Sequence, residues 1–347
     1  MWLLTIRDLR FRARRFGVVV AAMALVITLL YLMTGLVEQF NQEPFLTAEA
    51  VGAESWVLPP GVSGPFTSSA TLSPDEIASV EGDLDEIVIA RGTLDVAEEH
   101  EESVVVGHEV GGLGTPQISE GRNAEATREV VLDRSAGADI GETVGIGGIA
   151  FTVVGLTDDT TLLAGLPVIF TPIDDAREVL FGGTPVVSAL VSDTEVVAAG
   201  DLVVISAEEV GADALGPLEN AISSIDLIRG LLWLVAAIIV GGVLYLTALE
   251  RKRDFAVLRA VGGTTRQLGF GLATQGLSLA LLAVAIATAL QLAIVPVFPL
   301  TVRVPLRAYW QIPLLAGVVA LLATHAGSSK ARRTDPATAF GGPRCGR

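Results

Sequence analysis

Long uncharged apolar runs dominate the hydrophobic pattern of the chain. They cover residues 16–37, 230–249, 268–297 and 311–329. A helix rises about 1.5 Å per residue, so roughly 20 apolar residues cross the hydrocarbon core of a bilayer. Backbone polar groups must be satisfied internally there, which a helix achieves. We therefore predict a membrane protein with four transmembrane α-helices over these ranges.

The flanks of these runs predict their orientation. Basic residues cluster before the first run, in residues 250–267 and after the fourth run. By the positive-inside rule, both termini and the 250–267 loop face the cytoplasm of a multi-pass protein of the cell (plasma) membrane. Residues 38–225 and the 298–310 loop then lie outside. Arg303 and Arg307 in that loop depart from the rule.

Two features of the N-terminal region bear on this topology. Residues 1–15 alternate apolar and basic positions at helical spacing, which predicts an amphipathic helix in the inner interface. A cleaved signal peptide is the alternative for residues 16–37. Their apolar core is too long for one, and Met33-Thr34-Gly35-Leu36 is a poor cleavage site. We therefore expect residues 16–37 to remain as a membrane span.

Charge separates the outer segment from the rest of the chain. Residues 37–225 contain 34 acidic and 5 basic residues, although the whole chain has a net charge of only −16. Such an acidic segment repels phosphates, so we exclude nucleic acid as a partner. The basic remainder lies beside apolar runs, which favours contact with membrane lipid. With one cysteine, Cys345, no internal disulfide can form.

The outer segment reads as a mixed α/β domain inserted between the first and second spans. Helix-start signals occur at Ser73-Pro74 and at Pro172, and the second predicted helix ends at Gly182-Gly183. A helical stalk over residues 212–228 is expected to run without a break into the second span. Short β-branched runs predict strands at residues 86–90, 104–106, 130–132, 151–154, 168–170 and 186–191, with a hairpin turn at Gly147-Gly148.

The cytoplasmic loop carries a pattern that resembles a known family. Glu250-Arg251-Lys252-Arg253-Asp254-Phe255, followed by Leu258-Arg259-Ala260-Val261-Gly262, is similar to the signature of FtsX-like/MacB-like ABC transporter permeases. Asp335-Pro336-Ala337 resembles their C-terminal motif. Gly121-Arg122, Glu129 and Gly155 lie in segments similar to their outer domain. Asp254 stands where glutamate is commoner, and the charge is kept.

The resemblance implies a permease subunit that works as a homodimer or heterodimer with two copies of a cytoplasmic ABC ATPase. ATP-driven closure of that partner would be transmitted through the helices to the outer domain, for export or extraction of a substrate. A second function stays open. The outer domain could instead activate a cell-wall hydrolase, or another envelope protein, without transport. A membrane enzyme using its outer carboxylates is a third and less favoured interpretation.

The 250–267 loop also makes physical sense as a coupling helix. Phe255, Leu258 and Val261 recur every three residues and form a narrow apolar ridge flanked by charges. Such a ridge can lie in a groove of a partner, with the charges setting its register. The alternative is a solvated basic loop that only sets topology. We predict that the ATPase-coupling residues are Glu250, Arg251, Arg253, Asp254, Phe255, Leu258, Arg259, Val261 and Gly262, with Asp335, Pro336 and Ala337 as a second motif.

The sequence contains no G-x-x-x-x-G-K-[ST] phosphate-binding loop. We expect ATP and Mg to be bound by the partner ATPase, and this chain to have no cofactor and no catalytic residues. The acidic run at residues 98–102, with His108 and Glu109, could ligate a hard cation. A charge run is more often a solvated loop, so we predict no metal site.

Overall fold

A computed structural model of the chain describes residues 13–97, 99–163, 165–197, 200–250, 265–298 and 302–332. The helices are α1 (Ala13–Ala50), α2 (Pro74–Ile77), α3 (Ile173–Phe181), α4 (Ala207–Leu215), α5 (Glu219–Glu250), α6 (Thr265–Ile294) and α7 (Ala308–Arg332). The strands are β1 (Ser55–Leu58), β2 (Asp85–Val96), β3 (Glu99–His108), β4 (Glu120–Gly121), β5 (Glu129–Asp133), β6 (Thr143–Ile146), β7 (Ile149–Thr157), β8 (Thr161–Leu162), β9 (Leu166–Pro172), β10 (Ala189–Ser192) and β11 (Val203–Ser206).

The chain divides into two compact units. A helical unit comprises the described residues up to Glu38 and from Ser223 onward, and a sheet unit comprises Gln39–Ile222. Within the described residues, Phe16–Ala50, Ala207–Gly242 and Ala273–Val297 are long and apolar enough to cross a membrane. The apolar part of α7, Ala308–Leu322, is shorter. The structure thus supports three of the four predicted spans, and the fourth stays a prediction.

In the helical unit, one face of α1 packs on α6 and α7. Ile27 and Tyr31 are buried in a cluster with Ala283 of α6 and Ala316 of α7. Thr28 Oγ1 lies 3.4 Å from the carbonyl oxygen of Ala287, to which it donates. Small side chains on α6 and α7 let helices approach closely, which is how helices associate in lipid.

Arg307, which departs from the positive-inside rule, has a partner in the helical unit. It forms an ion pair with Glu38 near the end of the apolar part of α1. The segment before α7 is also close to α1, because a Cβ on Gly35 would lie 2.5 Å from Val302 Cγ1. The cation is therefore held by a folded contact between two parts of the chain rather than left to solvent alone.

Six strands of the sheet unit close into a ring. Consecutive pairings join β2 to β3, β3 to β9, β9 to β5, β5 to β7, β7 to β6, and β6 back to β2. The closure occurs because β2 is twelve residues long: its first residues pair with β10 and its last with β6. The sheet extends beyond the ring through β10, β1 and β11.

Alternating side chains of these strands form two cores on opposite faces. Ile87, Val104 and Phe170 belong to one cluster, which also contains residues of α1 and α4. Val88, Val105 and Ile169 belong to the other, which includes Ile173 and Ala176 of α3. The period of two along each strand produces this division. Helices therefore cover both faces of the sheet unit.

Several local elements form as the sequence predicts. Ser73 accepts a hydrogen bond from the Glu76 backbone and Glu76 binds back to Ser73, which makes a capping box at α2. The β6–β7 hairpin turns at Gly147 and Gly148, whose φ angles of 56° and 82° suit a type I′ turn. Gly182 ends α3 in the left-handed conformation.

The structure differs from three sequence-based expectations. The 212–228 stalk is not one α-helix, because a 3-10 turn at Gly216–Leu218 separates α4 from α5. Pro217 in that turn lacks the N–H that an α-helix would need. The predicted strand at 186–191 begins only at Ala189. The helix that contains the first span continues to Ala50, twelve residues beyond Glu38.

Candidate functional site: the helical base of the sheet unit

The first and last helical segments of the sheet unit lie side by side on one face of the sheet. Ala48 and Val51, from α1 and the residue after it, share a buried cluster with Val210 and Ala214 of α4. A Cβ on Gly211 would lie 2.5 Å from Phe45 Cδ1, so any larger residue requires the ring or the helix to shift. We call residues 39–51 and 207–215 the helical base. Residues 39–51 continue helix α1, whereas α4 is separated from α5 by the 3-10 turn at Gly216–Leu218.

The start of α4 is fixed by its own side chains. Ser206 caps the helix and accepts from Glu209 N at 3.3 Å, while Glu209 Oε2 accepts from Ser206 N at 2.8 Å. The hydrogen bonds that the Glu209 carboxylate accepts from the backbone N–H and the hydroxyl of Ser206 lower the pKa of Glu209. Further along, Asp213 accepts from the hydroxyl of Thr67. Helix α4 is thereby attached to the loop that precedes α2 as well as to the sheet.

The segment of α1 in the helical base is held by polar contacts. Glu43 and Thr47 are fully buried. The carboxylate of Glu43 accepts from the backbone N–H of Gly165 at 2.8 Å, and Thr47 donates to the carbonyl oxygen of Thr161 at 2.7 Å. Both partners belong to the short β8–β9 hairpin. The hydrophobic pattern does not predict this contact, because the apolar run ends at residue 37. The signal that remains in the sequence is a single acid, Glu43, beyond that run.

The chain just after α1 is tied to the loop that follows β3. Gly114 N donates to the carbonyl oxygen of Val51 at 2.7 Å. In the same loop Leu113 N donates to Asp85 Oδ2 at 2.7 Å. Gly114 has a φ of 87°, which glycine adopts without strain. The end of α1 is thus joined to the first residue of β2 through this loop.

Of the predicted ATPase-coupling residues, Glu250 alone belongs to the described part of the chain. Glu250 is the last residue of α5. Arg251, Arg253, Asp254, Phe255, Leu258, Arg259, Val261 and Gly262 lie outside the described residues, as do Asp335, Pro336 and Ala337. Residues 1–12 of the predicted amphipathic helix are also outside them. The roles of all these residues stay predictions.

The acidic run and His108 occupy opposite ends of one strand. Glu99, Glu101 and Glu102 are exposed in the first part of β3, whereas His108 is buried at its end. Burial lowers the pKa of His108, although its hydrogen bond to the carbonyl oxygen of Glu109 opposes this. The structure therefore does not bring these groups together. Among the described residues, no group of three or more His, Cys, Asp or Glu could hold a metal ion.

The outer-domain segments that carry the resemblance meet in space. Arg122 forms an ion pair with Glu129, and this hydrogen-bonded pair lowers the pKa of Glu129 to about 2. Backbone N–H groups of Glu125 and Ala126 also donate to Glu129 at 3.1 Å. A Cβ on Gly155 would lie 2.3 Å from the carbonyl oxygen of Arg122. These residues stabilise the β4–β5–β7 corner and give it a structural role.

Comparison with known proteins decides the family. The model of the FtsX-like permease C-terminal domain matches residues 227–336, and that of the MacB-like periplasmic core domain matches residues 16–209. An uncharacterized ABC transporter permease of Mycobacterium bovis is 35% identical over 344 residues, covering 97% of this chain and 99% of the relative. The chain belongs to the FtsX-like/MacB-like ABC transporter permeases. A permease of Mycobacterium tuberculosis is 34% identical over 345 residues, covering 97% of this chain and 99% of its own.

Two solved structures are similar to part of this permease. The extracellular domain of the noncanonic ABC-type transporter YknZ from Gram-positive bacteria has a TM-score of 0.31 and 17% identity, over 41% of this chain and 83% of its own. The periplasmic region of MacB from Actinobacillus actinomycetemcomitans has a TM-score of 0.33 and 16% identity, over 48% and 94% respectively.

Membership sets the general role of the chain. It is the permease, the non-catalytic membrane subunit of an ABC transporter, and the family implies a partner ATPase and dimerisation. It also implies a membrane protein with a periplasmic-type α/β domain. The sequence-based recognition of this family is therefore confirmed.

Proposed function

We propose that this permease transmits ATP-driven motion of a separate cytoplasmic ATPase across the membrane to its sheet unit. ATP and Mg are bound by the ATPase, and the transmitted motion drives export or extraction of a substrate. The permease acts as a dimer with a second permease copy, and two ATPase copies bind beneath it. The observation that carries this proposal is the helical base, where the end of α1 and helix α4, which precedes α5, pack together on one sheet face.

The helical base supports transmission of motion because its helices pack directly on the sheet. The segments of α1 and α4 contact each other at Phe45 and Gly211. They share one buried cluster with strands β1, β2, β3 and β9. Close-packed interiors are stiff, so a displacement of either helix is passed to the sheet rather than absorbed. A domain that was attached only by a flexible linker would need none of these contacts.

Binding of the ATPase is tested at the coupling ridge, the apolar ridge of Phe255, Leu258 and Val261 in the 250–267 loop. Changing Phe255 and Leu258 together to Asp is expected to abolish co-purification of the ATPase subunit with the permease, because two charges would be buried in the partner's groove. The measurement is affinity purification of the tagged permease, followed by quantification of the ATPase. We expect at least a tenfold loss, corresponding to about 1.4 kcal/mol or more.

A matched control introduces the same charges elsewhere. Val110 and Val197 are 55% and 88% exposed in the sheet unit, so changing both to Asp should leave ATPase binding intact. Full retention of the ATPase by the Phe255/Leu258 variant would contradict the coupling role. Loss in both variants would point to a general folding defect and would also count against it.

The proposed topology places both termini in the cytoplasm and the sheet unit outside. Cys345 is the native cysteine, and Val197→Cys in a Cys345→Ser background supplies an exposed outer probe. On intact cells, a membrane-impermeant maleimide should label this variant at position 197. In the wild-type protein, it should spare Cys345 until the membrane is opened. Labelling of Cys345 in intact cells would overturn the topology.

A further inference from the structure

Helix α1 holds the β8–β9 hairpin with two side chains that are one turn apart. Glu43 binds the N–H of Gly165 and Thr47 binds the carbonyl oxygen of Thr161. Residues at i and i+4 lie on the same face of a helix, so both contacts are directed at the hairpin. Each one engages a backbone group, so the hairpin is held by its main chain at two points.

The hairpin is the end of a central strand. β9 pairs with β3 on one side and with β5 on the other. Leu162 of the hairpin is fully buried in the same cluster as the helical base. A shift of α1 along its axis would therefore reach the middle of the ring through β9, rather than only its rim.

The contact between Glu43 and Gly165 buries a carboxylate, which is unusual where packing alone is required. A buried carboxylate costs several kcal/mol in desolvation unless it is well hydrogen-bonded, and an apolar side chain would fill the same place at lower cost. A charge-assisted bond to a backbone N–H is short and directional. The residues on either side of position 164, Leu163 and Gly165, have positive φ angles of 53° and 102°. Such a contact fixes position more than it adds stability.

We propose that Glu43, Thr47, Thr161 and Gly165 form a latch through which α1 moves the β8–β9 hairpin and with it β9. This inference rests on the proposed function, since it names the positioning residues for transmission. Glu43 and Thr47 touch no substrate and act through the hairpin. Removing them disconnects the sheet from α1 while the helical base keeps its apolar contacts.

The test uses the full-length permease in complex with its ATPase in lipid nanodiscs. Amide hydrogen exchange of residues 160–172 is compared between the nucleotide-free complex and the complex trapped with ATP and vanadate. The wild type should show a change in exchange on trapping. In Glu43→Ala, which loses a buried hydrogen bond to a charge, that change should fall about tenfold. In Thr47→Val, which loses a neutral hydrogen bond, it should fall by about fivefold. Glu43→Gln keeps the acceptor oxygen and should retain most of the response.

The control is Ser188→Ala, which removes a buried hydroxyl bonded to Ile89 at 2.8 Å and leaves α1 untouched. It should respond like the wild type.

If the sheet unit of the wild type shows no change in exchange on trapping, the proposed transmission is wrong, and the latch is wrong with it. If Glu43→Ala and Thr47→Val respond fully, the latch alone is overturned. A response lost equally in Ser188→Ala also overturns it. If Glu43→Ala does not yield monodisperse protein, the conclusion is drawn from Thr47→Val, because valine has nearly the same volume as threonine.

Discussion

Truncation of Trp56 to alanine is expected to destabilise the sheet unit by about 3–5 kcal/mol. Trp56 is among the largest fully buried side chains, and it lies on β1 between Val191 of β10 and Ile205 of β11. Its ring also faces Phe66 at a centroid distance of 6.2 Å. Removing it leaves a cavity where three strands and the loop before α2 meet, and this part of the sheet lies outside the closed ring.

Thermal unfolding of the full-length protein in detergent, followed by limited proteolysis of the sheet unit, measures this loss. For a unit of this size, about 2–4 °C is lost per kcal/mol, so the midpoint should fall by roughly 6–20 °C. Trp56→Phe should cost much less, because it keeps a ring and removes an indole N–H that has no hydrogen-bond partner among the described residues. Trp310→Ala is the matched control, since Trp310 is 60% exposed in the helical unit. A Trp56→Ala midpoint equal to that of wild type would contradict the role of Trp56.

A Gly211→Val variant is expected to lose about 1–3 kcal/mol through overpacking. Its Cβ would start 2.5 Å from the ring of Phe45, so the ring must move or α4 must separate from α1. Separation would also weaken the packing through which we propose that motion passes. Chemical unfolding of the sheet unit in the full-length protein gives the stability change.

A double-mutant cycle identifies the cause of this loss. Phe45→Ala makes room for the new side chain, so the pair Gly211→Val/Phe45→Ala should be more stable than the sum of the single changes predicts. Gly230→Ala is the control, because a Cβ there meets nothing within 4 Å. Strict additivity in the cycle would show that the two helices do not restrain each other at this point.

Elements that depend on a few neighbouring residues could be predicted from the sequence. The Gly147-Gly148 hairpin and the Ser73 cap are examples, because their geometry follows from local turn and capping chemistry. β1 and β11 were missed. Each has four residues, and their pairing joins segments that are about 150 positions apart. The ring closure between β2 and β6 is likewise a tertiary property that no local pattern carries.

The helical base was missed for a related reason. The hydrophobic pattern ends at residue 37, and Glu38, Glu43 and Pro44 argue against a continuing apolar helix. α1 nevertheless continues, because the sheet unit supplies partners for its polar side chains. The coupling ridge shows the opposite case: its pattern is visible in the sequence, while residues 251–264 lie outside the described part of the chain.

The closed strand ring has a consequence for how this domain avoids aggregation. Strands with unpaired backbone groups attract other chains and seed aggregation. In the described part of the sheet, the outermost strands are β4, which is two residues long, and β11, which is four. The long strands are all paired on both sides or belong to the ring. The first residues of β3, Glu99–Ser103, pair with β2 but not with β9, and the glutamates exposed there oppose the addition of another strand.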